Sequence, residues 1–163
     1  VMKDGHYAIG DALRLSTLKE YLGFAVESGA KVIIITDACR SGKLMDGSKE
    51  AMTKLVENWD NTLKFVSCEP QQSSFENKKW GDGHGVYTYY LLKGITGESD
   101  KTEDANNNNI IEAGELHDYI KRKVKKETES KQIPKFEGPE MAPIFKVDDD
   151  LSKKLTTYIG ALL

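Results

Sequence analysis

The chain has few of the features that would assign it to a specialised class of protein. Two cysteines among 163 residues are too few for a disulfide scaffold. No apolar run approaches the ~20 residues that a membrane-spanning helix needs. A net charge of −3 gives no general attraction to nucleic acid or to an anionic membrane surface. We therefore expect an ordinary globular domain, with neither nucleic acid nor membrane among its partners.

Strands alternate with helices along the chain, which predicts an α/β sheet protein. The clearest strand is Lys31–Thr36, because its four consecutive β-branched apolar residues are typical of a strand buried on both faces. Periodicity and turn residues predict the other elements: a helix ending at Gly29, a helix after Ser48, strands at Thr62–Ser67 and Pro143–Val147, a long polar loop from Glu69 to Gly85, a buried helix at Val86–Ile95 ended by Gly94 and Gly97, and an amphipathic helix containing Leu116 to Val124.

A carboxylate and a thiol follow the strand Lys31–Thr36 within three residues. Ligands of open α/β sheets bind beyond the carboxyl ends of the strands, so Cys39 lies where a nucleophile is expected. Side chains alternate along a strand, which places Asp37 on the same side as Cys39. The alternatives are an inert buried cysteine and a carboxylate that caps a turn through backbone amides.

The segment Asp37–Gly42 resembles the nucleophile turn of the caspase-like cysteine peptidases. It is intermediate between the Gln-Ala-Cys-Arg-Gly type of caspases and the Asp-x-Cys-x-Ser-Gly type of metacaspases and their bacterial relatives. Three later segments follow in the family's order: Phe65–Glu69, Ser73–Glu76 and Gly83–Leu92.

The resemblance implies a caspase-hemoglobinase-like sandwich with a mostly parallel central sheet flanked by helices. It implies that the N-terminal strands are missing from this chain. Residues 1–147 would form the peptidase domain, and residues 148–163 an acidic and amphipathic tail.

The resemblance also implies a substrate pocket. In metacaspase-like enzymes, the residue matching Asp37 lines the pocket for the residue before the scissile bond and selects Arg or Lys. Ser74, Phe75 and Glu76 match the segment that borders the caspase cleft, and Glu76 stands where caspases have an arginine. Two acids at cleft positions favour a basic substrate residue. The alternative for Glu76 is an ordinary exposed glutamate.

The general base is absent from its expected place. The family's histidine lies at a strand end before the cysteine, and His6 is the only histidine upstream of Cys39. His6 follows no buried strand, His84 opens a helix after the cysteine, and His117 lies within the last helix. We expect an upstream segment, cut away or carried on a separate polypeptide, to supply the histidine and half of the oxyanion hole.

The sequence therefore predicts a cysteine endopeptidase that hydrolyses peptides or proteins after Arg or Lys through the Cys39 thiolate. Self-cleavage at exposed basic sites, such as Lys43, Lys49 or Lys78-Lys79, would activate it, and the chemistry needs no cofactor. The chief alternative is a catalytically inactive caspase-like interaction domain with a structural calcium loop. A nucleotide-binding domain is disfavoured, because no glycine-rich phosphate loop follows a strand.

A 12-residue segment matches the spacing of a calcium loop. Its expected ligands are oxygens of Asp104, Asn106, Asn108, Glu112 and Glu115, with Ile110 at the position that supplies a backbone carbonyl. Asn109 replaces the usual glycine and can adopt the left-handed conformation. The alternative is a helix entry built from asparagine turns.

Overall fold

The structure is a computed structural model that describes residues 2–3, 6–7, 15–37, 62–69, 72–81, 83–148, 150, 152–154 and 156–157. Cys39, Lys43, Lys49 and the helix expected after Ser48 lie outside these residues. Within them, no helix combines the length and the apolar character needed to cross a membrane.

Strands and helices are mixed along the described chain, which confirms an α/β protein. In chain order the elements are β1 (Met2–Lys3), β2 (His6–Tyr7), α1 (Leu15–Glu27), β3 (Val32–Thr36), β4 (Thr62–Val66), α2 (Val86–Lys93) with a π-helical turn (Gly94–Glu98), β5 (Ile110–Glu112), α3 (Ala113–Glu127), β6 (Lys135–Glu137) and β7 (Pro143–Lys146).

The central sheet of the described chain has the order β3–β4–β6. β3 and β4 pair in parallel, whereas β6 pairs with β4 in antiparallel fashion. Two smaller antiparallel pairs, β1–β2 and β5–β7, form separate sheets. The described sheet is thus mixed, whereas the resemblance implied a mostly parallel one. Strand β6 was not predicted, because its three residues between Pro134 and Pro139 are too few to show an alternation of apolar and polar side chains.

The core lies between β4, α2 and α3. Leu63 and Phe65 of β4 are buried, and helices α2 and α3 pack together beside them. The apolar stripe of α3 is the one expected from its spacing. Its buried members are Leu116, Tyr119, Ile120 and Val124.

β3 differs from the strand that the sequence predicted. Val32 is buried, but Ile33 and Ile35 are 37% and 50% exposed. The expectation of burial on both faces is therefore wrong for the described structure. Among the described strands, β3 pairs on one side only, with β4.

The predicted end of the buried helix at Gly94 also needs correction. Gly94 has right-handed helical dihedrals, and the chain continues through the π-helical turn to Gly97, whose φ is 105°. A Cβ on Gly94 would lie 2.5 Å from Leu116 Cδ1. Gly94 is therefore a close-packing position between α2 and α3, and Gly97 supplies the positive φ that ends the turn.

Candidate active site

The carboxyl ends of β3 and β4 meet at one edge of the sheet. The two strands are parallel and in register, with Thr36 opposite Val66. The Ser67 N–H then donates to the Thr36 carbonyl at 2.9 Å. Asp37 and Ser67 thus leave neighbouring strands at the edge where open α/β sheets hold their ligands.

The exposed carboxylate of Asp37 accepts hydrogen bonds from two hydroxyl groups. Thr88 Oγ1, in the first turn of α2, lies 2.6 Å from Asp37 Oδ2. Ser74 Oγ lies 3.3 Å from Asp37 Oδ1 and 3.0 Å from the hydroxyl of buried Ser67. The structure therefore brings together Asp37 and Ser74, two of the four residues predicted to bind substrate.

Gly85 lets the chain approach this carboxylate closely. A Cβ on Gly85 would lie 3.0 Å from Asp37 Oδ2. The neighbouring Tyr87 is buried, and burial together with the charge of Asp37 raises the pKa of its hydroxyl. Tyr87 is therefore neutral at physiological pH.

A buried glutamine holds the loop that carries Ser74. The side chain of Gln132 is fully buried; its Oε1 accepts from the Phe75 N–H and its Nε2 donates to the Ser67 carbonyl, each at 2.9 Å. Gln72 Oε1 accepts in turn from the Ile133 N–H at 2.7 Å. The segment after α3 therefore fixes the start of the loop to the end of β4.

The far end of the same loop is anchored on Glu127, at the end of α3. Its carboxylate accepts hydrogen bonds from Trp80 Nε1 and Tyr90 OH at 3.3 Å and pairs with Lys79 at 2.8 Å. The Lys79 partner lowers the pKa of Glu127. Burial, followed by the charge of Glu127, raises the pKa of Tyr90 to about 12. Both ends of the polar loop are therefore fixed.

The other predicted site residues have different surroundings. The half-buried Phe75 packs against the core, and its carbonyl accepts from the Val86 N–H. Glu76 is exposed and forms a β-bridge with Gly85. Cys39 is outside the described residues. The catalytic role of Cys39 and the substrate-binding roles of Asp37, Ser74, Phe75 and Glu76 stay predictions.

The described histidines are His6, His84 and His117, and the location of the catalytic histidine stays a prediction. His84 is exposed in the turn before α2, and its N–H donates to the Trp80 carbonyl. His117 lies on α3 with its ring 5.6 Å from that of Phe136. Burial first, and then the charge of Lys121, lowers the pKa of His117 to about 4. His117 is a neutral packing residue.

The expected calcium loop is held by hydrogen bonds among its own side chains. Asn106 Nδ2 and Asn108 Nδ2 donate to the two oxygens of Glu112 at 2.9 and 3.2 Å. Glu115 accepts from the N–H groups of Asn106 and Glu112. Burial, with the nearby charge of Glu112, raises the pKa of Glu115. Asp104 forms an ion pair with Arg122 of α3.

These contacts differ from a set of calcium ligands. Within the described residues, no group of three or more His, Cys, Asp or Glu side chains is arranged to hold a metal ion. An open cavity of about 360 Å³ lies beside the loop, with Asp104, Glu115 and Arg122 in its wall. Asn109 does adopt the left-handed conformation, with φ of 63°. Calcium binding stays a prediction.

Four residues that the sequence did not single out organise the two regions: Thr88, Gly85, Gln132 and Asp100. Asp100 is buried and accepts from the N–H groups of Asn108 and Asn109 at 3.2 and 3.0 Å. Thr88 could have been found from the sequence, because it places a hydroxyl group in the first turn of an otherwise apolar helix. Gln132 gave no such signal, because its partners lie 57 and 65 positions away.

Comparison with known proteins gives the family. The family model of the caspase domain matches residues 6–144. The chain belongs to the caspase domain family. This is a family of cysteine peptidases, so the resemblance carried by Asp37–Gly42 is confirmed at the level of the family. No curated protein and no solved structure matches the chain significantly.

Proposed function

We propose that this caspase domain is a cysteine endopeptidase that cleaves after Arg or Lys, with Asp37 as the residue that binds the basic side chain. The observation that carries the proposal is the Asp37 carboxylate, which is exposed at the carboxyl end of β3 two residues before Cys39. In the described part of the chain, its hydrogen-bond partners are hydroxyls rather than cations. Those hydroxyls hold the carboxylate without neutralising its charge, which suits it to a cationic substrate group.

The proposed chemistry is acyl transfer through a thioester. The Cys39 thiolate attacks the carbonyl carbon after Arg or Lys, and backbone N–H groups, including that of Cys39, stabilise the oxyanion. The C–N bond then breaks as a histidine gives its proton to the leaving amine. Water attacks the thioester and releases the acid product and the thiol. The histidine comes from a segment upstream of Cys39, either of the same chain or of a separate polypeptide.

Peptide hydrolysis by the complete domain, with the histidine-bearing segment, tests this proposal. Substrates ending in Arg, Lys or Asp are compared for the wild type and for Cys39→Ala, Asp37→Asn and the matched control Asp150→Asn. Asp150 is exposed and pairs with Lys154. We expect cleavage after Arg and Lys, abolished by Cys39→Ala, strongly reduced by Asp37→Asn and unchanged by Asp150→Asn. Cleavage after Asp would keep the peptidase and refute the role of Asp37.

Activation by processing is part of the same proposal. Lys78 and Lys79 lie on the exposed turn between Asn77 and Trp80. Lys79 pairs with Glu127, which leaves Lys78 as the more accessible cleavage site. Lys78→Gln should slow maturation of a full-length precursor more than Lys79→Gln does, as followed by gel electrophoresis. Unchanged maturation of the double variant would refute processing at this turn.

The second candidate is an inactive caspase-like interaction domain with a structural calcium loop. The left-handed Asn109 and the bracing of the loop by Asp100 favour a built loop in this segment. The hydrolysis experiment separates the two candidates. An absence of cleavage after Arg, Lys and Asp by the complete domain would favour the interaction domain.

A further inference from the structure

The two hydroxyl groups that donate to Asp37 differ in the length of their hydrogen bonds and in how firmly their side chains are held. Thr88 lies 2.6 Å from Oδ2, a short, charge-assisted hydrogen bond, whereas Ser74 lies 3.3 Å from Oδ1. Ser74 belongs to the loop and shares its hydroxyl with Ser67. Thr88 belongs to α2, and its β-branched side chain has few rotamers on a helix. Thr88 is therefore the better-defined donor to the carboxylate.

The first turn of helix α2, which carries Thr88, is itself held in place by the core. The Val86 N–H donates to the Phe75 carbonyl at 2.9 Å, and Val86 and Tyr87 are buried in the core. Gly85 presents no side chain to Asp37, since a Cβ there would lie 3.0 Å from Oδ2. The position of the Thr88 hydroxyl is therefore set by the core, and Gly85 leaves room for the carboxylate beside it.

We propose that Thr88 is a specificity-determining positioning residue, whose hydroxyl orients the Asp37 carboxylate toward the cationic group of a bound Arg or Lys side chain. The inference rests on the proposed function. An ionised carboxylate has about four acceptor positions; Thr88 and Ser74 use one on each oxygen, and those that remain serve the substrate. An exposed aspartate held in one rotamer loses less entropy when it binds a cation than one that rotates freely.

The test uses Thr88→Val, which keeps the shape and removes the donor, and Thr88→Ser, which restores the hydroxyl. Thr96→Val is the matched control, because Thr96 Oγ1 donates to the Lys93 carbonyl away from Asp37. Two quantities are measured on the complete domain: kcat and KM for Arg and Lys substrates, and the Kd of benzamidine by calorimetry. Benzamidine probes the cation site without requiring Cys39 to react.

We expect Thr88→Val to raise KM and the benzamidine Kd by about 2- to 12-fold, because a freely rotating Asp37 side chain must then be ordered on binding, with kcat within about twofold. Thr88→Ser should recover most of the loss, and Thr96→Val should match the wild type. Unchanged KM and Kd in Thr88→Val, or a loss confined to kcat, would overturn the role of Thr88 while leaving the proposed function intact. A wild-type domain that neither cleaves after Arg or Lys nor binds benzamidine would overturn both.

Discussion

The side-chain amide of Gln132 joins the loop residue Phe75 to the end of β4. Its oxygen accepts from the Phe75 N–H, its nitrogen donates to the Ser67 carbonyl, and the side chain is fully buried. A single buried amide thus joins the segment after α3 to two residues that precede it by 57 and 65 positions. Buried backbone groups without such a partner are costly.

Replacement of Gln132 should therefore destabilise the domain. Gln132→Leu removes both hydrogen bonds and leaves a part-buried N–H and a buried carbonyl without this partner, at a cost of about 2–4 kcal/mol in the free energy of unfolding. Urea denaturation measures the loss. A variant as stable as the wild type would refute the bracing role.

Gln132→Glu gives a sharper form of the same test. At neutral pH the introduced carboxylate can accept from the Phe75 N–H. However, it repels the Ser67 carbonyl oxygen and places a negative charge at a buried position. Burial raises the pKa of the introduced carboxyl group in the folded state, so the native state binds the proton more tightly than the unfolded state does. The loss in the free energy of unfolding caused by the substitution therefore becomes smaller as the pH falls. We expect the stability gap between this variant and the wild type to narrow from pH 7 to pH 5. A constant gap would contradict this account.

Gly85→Ala should weaken the binding of basic substrates without straining the backbone. Gly85 has φ of −66° and ψ of 137°, which alanine adopts freely, but the added Cβ would meet Asp37 Oδ2 at 3.0 Å. Displacement of the carboxylate should raise KM for Arg substrates by about 3- to 10-fold. In an Asp37→Ala background the same substitution should have no further effect on KM. Additive losses would show that Gly85 acts elsewhere.

His117 should make stability depend on pH. Its folded pKa of about 4 lies below the ordinary value of 6.5, so the unfolded chain binds the proton first. Stability should therefore be complete above about pH 6.5 and fall as the pH drops toward 4. The ring is only partly buried and solvent screens it, so the loss is about 1–2 kcal/mol. Urea midpoints between pH 7 and 5 should fall for the wild type and for the control His84→Gln, and fall less for His117→Gln. Parallel curves for all three would refute this assignment.

Calcium should raise the melting temperature if the asparagine-rich loop binds it. At about ten times its Kd, an ion adds about 1.4 kcal/mol, which corresponds to about 3–6 °C for a domain of this size. Asp104→Asn should abolish the rise and change the stability without calcium little, because the ion pair with Arg122 is exposed. Asp150→Asn is the matched control. An unchanged melting temperature on addition of Ca²⁺ or EGTA would count against the loop as a ligand.

The sequence predicted those parts of the fold that carry a local signal. Strand β3 and helix α3 follow from β-branched runs and apolar spacing, and the position of Asp37 follows from the strand that precedes it. The parallel pairing of β3 with β4 fits the expected α/β order. Strand β6 was missed because three residues between prolines have no measurable alternation.

The site depends on contacts that local patterns do not carry. Ser74 was singled out by resemblance, and the structure does place it on Asp37, 37 positions away. Thr88 reaches the same carboxylate from 51 positions away. The pairing of hydroxyls with a carboxylate depends on how α2 packs against the loop. Nothing in the residues near Thr88 specifies that packing, so the sequence alone left the donor unidentified.

The dependence of the loop on Gln132 also determines when this loop can become ordered during synthesis. The chain emerges from the ribosome with β3, Asp37 and the polar loop long before Gln132 has been added. Until then the Phe75 N–H and the Ser67 carbonyl lack this partner, so these two hydrogen bonds do not offset the entropy cost of ordering the loop. A nascent chain that stops before Gln132 therefore carries Asp37 without the two hydrogen bonds that join Phe75 to the end of β4.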